Sequence, residues 1–138
     1  MKDIYILDAC AIIALLAGET GAENIKKLIQ EAIEKNIIVK INQINLLEVY
    51  YHVCKIYDQN EANKALKKIK EFPIEIIIGL NESVFNEAGR IKSTYKIPLG
   101  DSIVVAECII GNGILVTSDY NDLAKFEKRE NIKISWFR

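Results

Sequence analysis

The chain is poor in the groups that nucleophilic or soft-metal chemistry needs. It has one histidine, His52, and three cysteines, Cys10, Cys54 and Cys108. The cysteines are odd in number, far apart and without a Cys-x-x-Cys pair, so neither a disulfide framework nor a Cys/His zinc site is indicated. Each lies among apolar residues, where a free thiol acts as a small buried hydrophobe. No nucleophilic triad assembles around His52. No apolar run reaches the roughly 18 residues that cross a bilayer. The first residues show no leader pattern, and a cytoplasmic protein without a membrane anchor is expected. No glycine-rich loop follows the first apolar run, which disfavours a nucleotide-binding or receiver-like domain. Excess charge of one sign is also missing. The net charge of −1 argues against nucleic-acid binding through the whole surface.

Half of the 138 residues are hydrophobic, as in an ordinary globular protein, and nothing marks a linker or a repeat. One domain over residues 1–138 is expected. Residues 2–7, 37–41, 74–78 and 114–117 read as strands, with a further strand at 132–136. Helical periodicity covers 9–17, 20–35, 44–57, 60–71, 82–95, 101–110 and 120–128. The helix at 44–57 is apolar nearly all round and is expected to be central. Strands alternating with helices predict βαβ units: an α/β fold with a mainly parallel sheet of four to five strands, covered on both faces.

Four acids stand where folding alone would not choose them. Asp8 ends Ile4-Tyr5-Ile6-Leu7, and Glu48 interrupts an apolar helix. Asp101 opens Ile103-Val104-Val105-Ala106, and Asp119 follows Ile114-Leu115-Val116-Thr117-Ser118. Buried carboxylates are costly unless paired or bound to a metal. Ligands of open parallel sheets bind beyond the carboxyl ends of the strands. Asp8 and Asp119 follow strands there, Asp101 opens the helix before the fourth strand, and Glu48 lies in the second turn of the helix after the second. Convergence at one sheet edge would create a site for a hard cation. Each acid also has a plainer explanation. Asp8, Asp101 and Asp119 could be helix caps, the last with Asp122 three residues on, and Glu48 could pair with Lys40 or Lys55.

Ile-Leu-Asp8-Ala-Cys, Asn-Leu-Leu-Glu48-Val-Tyr, Pro-Leu-Gly-Asp101-Ser-Ile-Val-Val-Ala and Leu-Val-Thr117-Ser-Asp119, in this order and spacing, resemble the PIN-domain ribonucleases. Size and order are most similar to the VapC-type toxins of toxin–antitoxin pairs. The resemblance implies a three-layer α/β/α domain and a Mg²⁺- or Mn²⁺-dependent endoribonuclease leaving 5′-phosphate and 3′-hydroxyl ends. It further implies a homodimer held inactive by a cognate antitoxin. Asp8, Glu48, Asp101 and Asp119 map onto the family's acids, and Thr117 onto its supporting hydroxyl. The family usually has a hydroxyl or amide residue just after the first acid. Here those positions are Ala9 and Cys10, so an outer hydrogen bond to the metal-bound water or to Asp8 is expected to be missing. Asp122 is expected to face solvent.

Asp8 and Asp101 are the preferred direct ligands, with Glu48 and Asp119 completing the site directly, through water or around a second ion. RNA contacts are sought in Lys64, Lys67, Lys68 and Lys70, or in Arg90, Lys92 and Lys96, against the alternative of solvated helix faces. Two other readings stand beside the toxin: a housekeeping RNA-processing nuclease of the same family, and a non-catalytic module that binds RNA or protein.

Overall fold

The computed structural model describes residues 1–138. Five short strands form one sheet: β1 (Ile4–Leu7), β2 (Ile38–Asn42), β3 (Ile74–Ile77), β4 (Ile114–Thr117) and β5 (Lys133–Trp136). Their order is β3-β2-β1-β4-β5, and every pairing is parallel. The chain builds outward from β1 to β3 and then returns to the other side of β1. The topological switch therefore lies beside β1, where such sheets leave a crevice at the strand ends.

The helices are α1 (Ala9–Ala17), α2 (Ala22–Ile33), α3 (Gln43–Ile56), α4 (Gln59–Lys70), α5 (Glu82–Thr94), α6 (Leu99–Gly111), α7 (Tyr120–Leu123) and α8 (Phe126–Arg129). Alternation along the strands divides the core into two halves. Leu7, Val39, Ile41 and Val116 pack with Ala11 and Ile12 of α1, Ile25 and Ile29 of α2, and Leu46 and Val49 of α3. Ile6 and Leu115 face the opposite way, onto Ile91 of α5, Val104 and Val105 of α6, and Leu123 and Phe126. The result is the expected three-layer α/β/α arrangement with a fully parallel sheet. No helix is long and apolar enough to cross a membrane.

Three expectations change. The helix expected over 120–128 is two short ones, because the chain turns at Ala124 and Lys125. The helix expected from 101 begins at Leu99, with Pro98 at the capping position. Proline fixes φ and lacks the N–H that would be unsatisfied there. Third, α3 is not central. Only Asn45, Leu46 and Val49 are buried on it, while Leu47, Tyr51 and Ile56 are exposed. Its apolar outer face is surface, and one of its three buried residues, Asn45, is polar.

Candidate metal centre

The acids do meet at the carboxyl edge of the sheet, and each arrives for a local reason. Asp8 is the first residue past β1, and its Oδ1 accepts from the backbone N–H of Ala9, capping α1 (2.9 Å). Its Oδ2 accepts from the Thr117 hydroxyl at the end of β4 (2.8 Å). That hydroxyl in turn accepts from the Asp119 N–H (3.1 Å), so one side chain ties two of the acids together. Asp119 caps α7, accepting from the N–H of Asp122. Asp8 and Asp119 thus keep the capping role that the sequence allowed, and each is also carried to the sheet edge by it.

Asp101 and Glu48 have no such second role. Asp101 lies in the first turn of α6, inside the helix, and it is only 8% exposed. Its Oδ2 is buried without a hydrogen-bond partner. Glu48 pairs with neither lysine considered for it, and Lys40 is bound to Glu75 instead. It accepts from Nδ2 of Asn45 (3.0 Å).

Asp101, Asp119 and Asp122 each offer an oxygen within 4.8 Å of the others. Asp122, expected in solvent, is half-buried and belongs to this tightest group. Its position three residues after the capping Asp119 was the available signal: a capping pair turns both side chains toward the same helix end. Asp8 and Glu48 flank the group. Their charges both act on Asp101, together with those of Asp119 and Asp122.

This arrangement is electrostatically unbalanced. Not one of the protein's ion pairs involves any of the five acids. Burial, reinforced by the four neighbouring carboxylates, pushes the Asp101 carboxyl up to about 8. Burial raises Asp8 as well, against hydrogen bonds from Thr117, Ala9 and Cys10 that lower it. Glu48 is raised by burial, opposed by its bond to Asn45. A group of hard oxygen donors with a buried unpartnered oxygen and no cation of the protein's own fits a hard divalent cation.

Cys10 fills part of the gap expected behind Asp8. Its Sγ lies 3.5 Å from Asp8 Oδ2, as donor, and 3.4 Å from Thr117 Oγ1. Burial and the charge of Asp8 push this thiol up to about 11, so it stays protonated and able to donate. Of the two hydrogen bonds expected to be missing, the one to Asp8 is therefore present, in a weak form.

The basic groups divide. Arg90 is held by Glu87 and by Glu130 (2.6 Å), and Lys92 donates to the carbonyl of Ile97 (2.7 Å). Two of the residues considered for RNA contact are thus already engaged. On α4, Lys64 pairs with Glu61, while Lys67, Lys68 and Lys70 form no ion pair. His52 lines an apolar hollow of about 390 Å³ between α1, α3 and α4, beside Ile13, Leu16 and Tyr57 and away from the acids.

Comparison with known proteins bears on the family and the fold. Residues 5–129 match the family described as PIN domain. No curated protein sequence matches the chain. Among solved structures, VapBC2 from Rickettsia felis bound to a promoter DNA fragment superposes with a TM-score of 0.76 at 22% identity, covering 96% of this chain and 98% of that one. DNA-bound VapBC from Salmonella typhimurium gives 0.73 at 14% identity, with both chains covered completely. VapBC-1 from nontypeable Haemophilus influenzae gives 0.69 at 18%, covering 97% and 98%. At these identities the likeness is one of fold.

Proposed function

The chain belongs to the PIN-domain family, and from that premise we propose that it is a metal-dependent endoribonuclease, the toxin of a VapBC-type toxin–antitoxin module. One observation carries the catalytic part: five acids at the switch point of the sheet have no basic partner, and the buried Asp101 Oδ2 has no donor. Asp101, Asp119 and Asp122 would hold a Mg²⁺ or Mn²⁺ ion, with Asp8 and Glu48 beside it. When bound, such an ion polarises a phosphodiester and makes a water acidic enough to attack it.

The residues divide the remaining work. Asp8, fixed at both oxygens, lends charge and aligns Thr117 and Asp119. Glu48, fixed at Oε1 by Asn45, offers its carboxylate as an acceptor for the proton of an attacking water. Tyr120, beside Asp119, is 68% exposed and leans on Trp136 with ring centroids 5.3 Å apart. It presents a ring face on which an unpaired RNA base can stack. Of the basic residues considered for RNA contact, Lys67, Lys68, Lys70 and Lys96 form no ion pair and are exposed, so they are free to meet phosphates.

The toxin assignment rests on the fold neighbours, which were solved as VapBC proteins. It brings with it a cognate antitoxin, a homodimer and action in the cytoplasm, by one nuclease unit over residues 1–138. Purified protein should cut single-stranded RNA with Mg²⁺ or Mn²⁺ and stop in EDTA. Expression should arrest growth, and co-expression of the adjacent small gene should relieve the arrest. Cleavage without arrest in several hosts would favour the housekeeping nuclease. RNA binding without cleavage under any divalent ion would favour the non-catalytic module.

A further inference from the structure

Glu48 is delivered to the acids from a different helix than Asp101, and something must set the distance between them. Two features do so. The first is Asn45, one turn before Glu48 and fully buried. Its Nδ2 donates to Glu48 Oε1 (3.0 Å) and to the carbonyl of Gly100 (3.1 Å), the residue preceding Asp101. The second is Gly100 itself. A Cβ built there would lie 2.5–2.7 Å from the Glu48 carboxylate, closer than real Cβ atoms approach. The φ of Gly100 is not the left-handed one that calls for glycine, so the requirement is one of space, made by Glu48.

Asn45 carries a further peculiarity. Its Oδ1 is buried and has no donor. Turning the amide over would set that oxygen against Glu48 Oε1 and the Gly100 carbonyl, so the orientation is dictated by its two acceptors. A side chain chosen only to fill the α3–α6 contact would not leave a buried acceptor unpaired. The same two helices are tied a second time without touching the site acids. Asn42 caps α3 through Oδ1 and donates from Nδ2 to Glu107 Oε2 (2.6 Å). Joining the helices is thus already served by Asn42, and Asn45 does something more.

We propose that Asn45 and Gly100 form a seat for Glu48, in which Asn45 is a positioning residue that holds one carboxylate oxygen toward α6. This rests on the metal-centre reading above. Glu48 is pulled against a surface that lacks a methyl group. The arrangement belongs to Asn45 and Gly100 as a pair: the amide holds the carboxylate, and the missing Cβ leaves it the room to sit there.

The test measures Mn²⁺ affinity by calorimetry, alongside melting in EDTA, so that folding and ion binding are read separately. The variants are Asn45→Leu, Asn45→Ser, Gly100→Ala, Asn42→Ser and Asp101→Asn, and each Asn45 change is repeated on Glu48→Gln. Asn45→Leu and Gly100→Ala should weaken Mn²⁺ binding by roughly tenfold. Asn45→Ser, which keeps one donor, should fall between them and wild type. On Glu48→Gln the Asn45 effect should shrink, since a residue acting through another is not additive with it. Asn42→Ser should lower the melting temperature without changing Mn²⁺ affinity. Should Asn45→Leu not fold, Asn45→Ser and Gly100→Ala carry the same comparison. Unchanged affinity in the seat variants, full additivity with Glu48→Gln, or an equal loss in Asn42→Ser would overturn the seat. Wild type that binds no Mn²⁺, or Asp101→Asn that binds it equally well, would overturn the metal centre and the seat with it. Loss in Asp101→Asn alone would leave the centre standing without the seat.

Discussion

Two clusters of carboxylates in this protein are built alike and behave oppositely. Around Arg90, Glu87 and Glu130 converge on one guanidinium, and the Tyr95 hydroxyl donates to Glu130. There the Glu130 carboxyl is lowered, first by its hydrogen bond from Arg90. At the strand ends five acids converge on nothing of the protein's own, and burial raises Asp8, Glu48 and Asp101. The first cluster is complete as folded. The second is stable only to the extent that its acids hold protons or a cation from outside. Acid clustering alone therefore says little, and the absence of an internal counter-charge marks the site.

The largest expected effect breaks the comparison at its centre. Asp101→Asn keeps shape and removes the charge with the most like-charged neighbours. Cleavage should fall by about a hundredfold or more, since changes merely behind a metal site cost about 10–100-fold. Asp101 lies inside α6 and does not cap it, so melting in EDTA should not fall. Near wild-type cleavage by rigorously purified Asp101→Asn protein would remove the acids from the mechanism.

Next comes the response to pH, where the clusters should differ in sign. The native protein holds the Asp101 proton up to about pH 8, whereas an unfolded chain releases it near 4. Between those values the native state binds more protons, so stability in EDTA should fall as pH rises. The raised Asp8 and Glu48 add slopes of the same sign. Glu130 is lowered, so its contribution is present above its unfolded value near 4.3 and is lost as pH falls through the native one. Denaturation from pH 5 to 8 in EDTA should show a falling slope, flattened in Asp101→Asn and retained in Glu130→Gln. Saturating Mg²⁺ should reverse it, adding about 2.7 kcal/mol at a hundred times Kd. An unchanged slope in Asp101→Asn would place the titration elsewhere.

The legibility of the two clusters in the sequence also differs. Strands, helices and layers followed from periodicity, because the sheet is buried on both faces and its strands are plain apolar runs. Asp8, Glu48, Asp101 and Asp119 were visible as acids misplaced in such runs. Asp122 was visible only as the capping companion of Asp119, since three residues after a cap an acid is ordinary on any surface. Asn45 and Gly100 were not visible, because their importance lies in a contact between α3 and α6 that spans 55 positions. Apolar residues all round α3 suggested burial, yet Leu47 and Tyr51 face outward. Periodicity reports which residues are apolar, and it cannot tell a face inside this chain from one left on its surface.

A smaller effect is expected at the paired cluster. Arg90 is 46% exposed on its side chain, and exposed pairs contribute about 0–1 kcal/mol. Arg90→Gln should lower stability by no more than about 1 kcal/mol and should leave the Mn²⁺ dependence of cleavage untouched. A large loss of RNA affinity in this variant, at constant kcat, would return Arg90 to substrate binding and contradict its engagement by two glutamates.

The smallest effect tests how finely the site is adjusted. Cys10 supplies Asp8 with a thiol donor at 3.5 Å, while Thr117 supplies a hydroxyl at 2.8 Å to the same oxygen. A thiol is a weak donor and a serine hydroxyl a stronger one. Cys10→Ser should therefore cleave as well as wild type or slightly better, and its melting temperature should stay within a few degrees. Cys10→Ala removes the donor, but Thr117 and the Ala9 N–H still hold Asp8, so the loss should be a few-fold at most. Thr117→Val removes the hydroxyl that serves both Asp8 and Asp119 and should cost about tenfold or more. The expected order is therefore Cys10→Ser, Cys10→Ala and then Thr117→Val, measured as kcat/KM at fixed Mn²⁺. If Cys10→Ala were the most damaging, Asp8 would depend on the thiol more than on the shorter hydroxyl bond. The support behind Asp8 would then lie in the helix that follows it and not across the sheet.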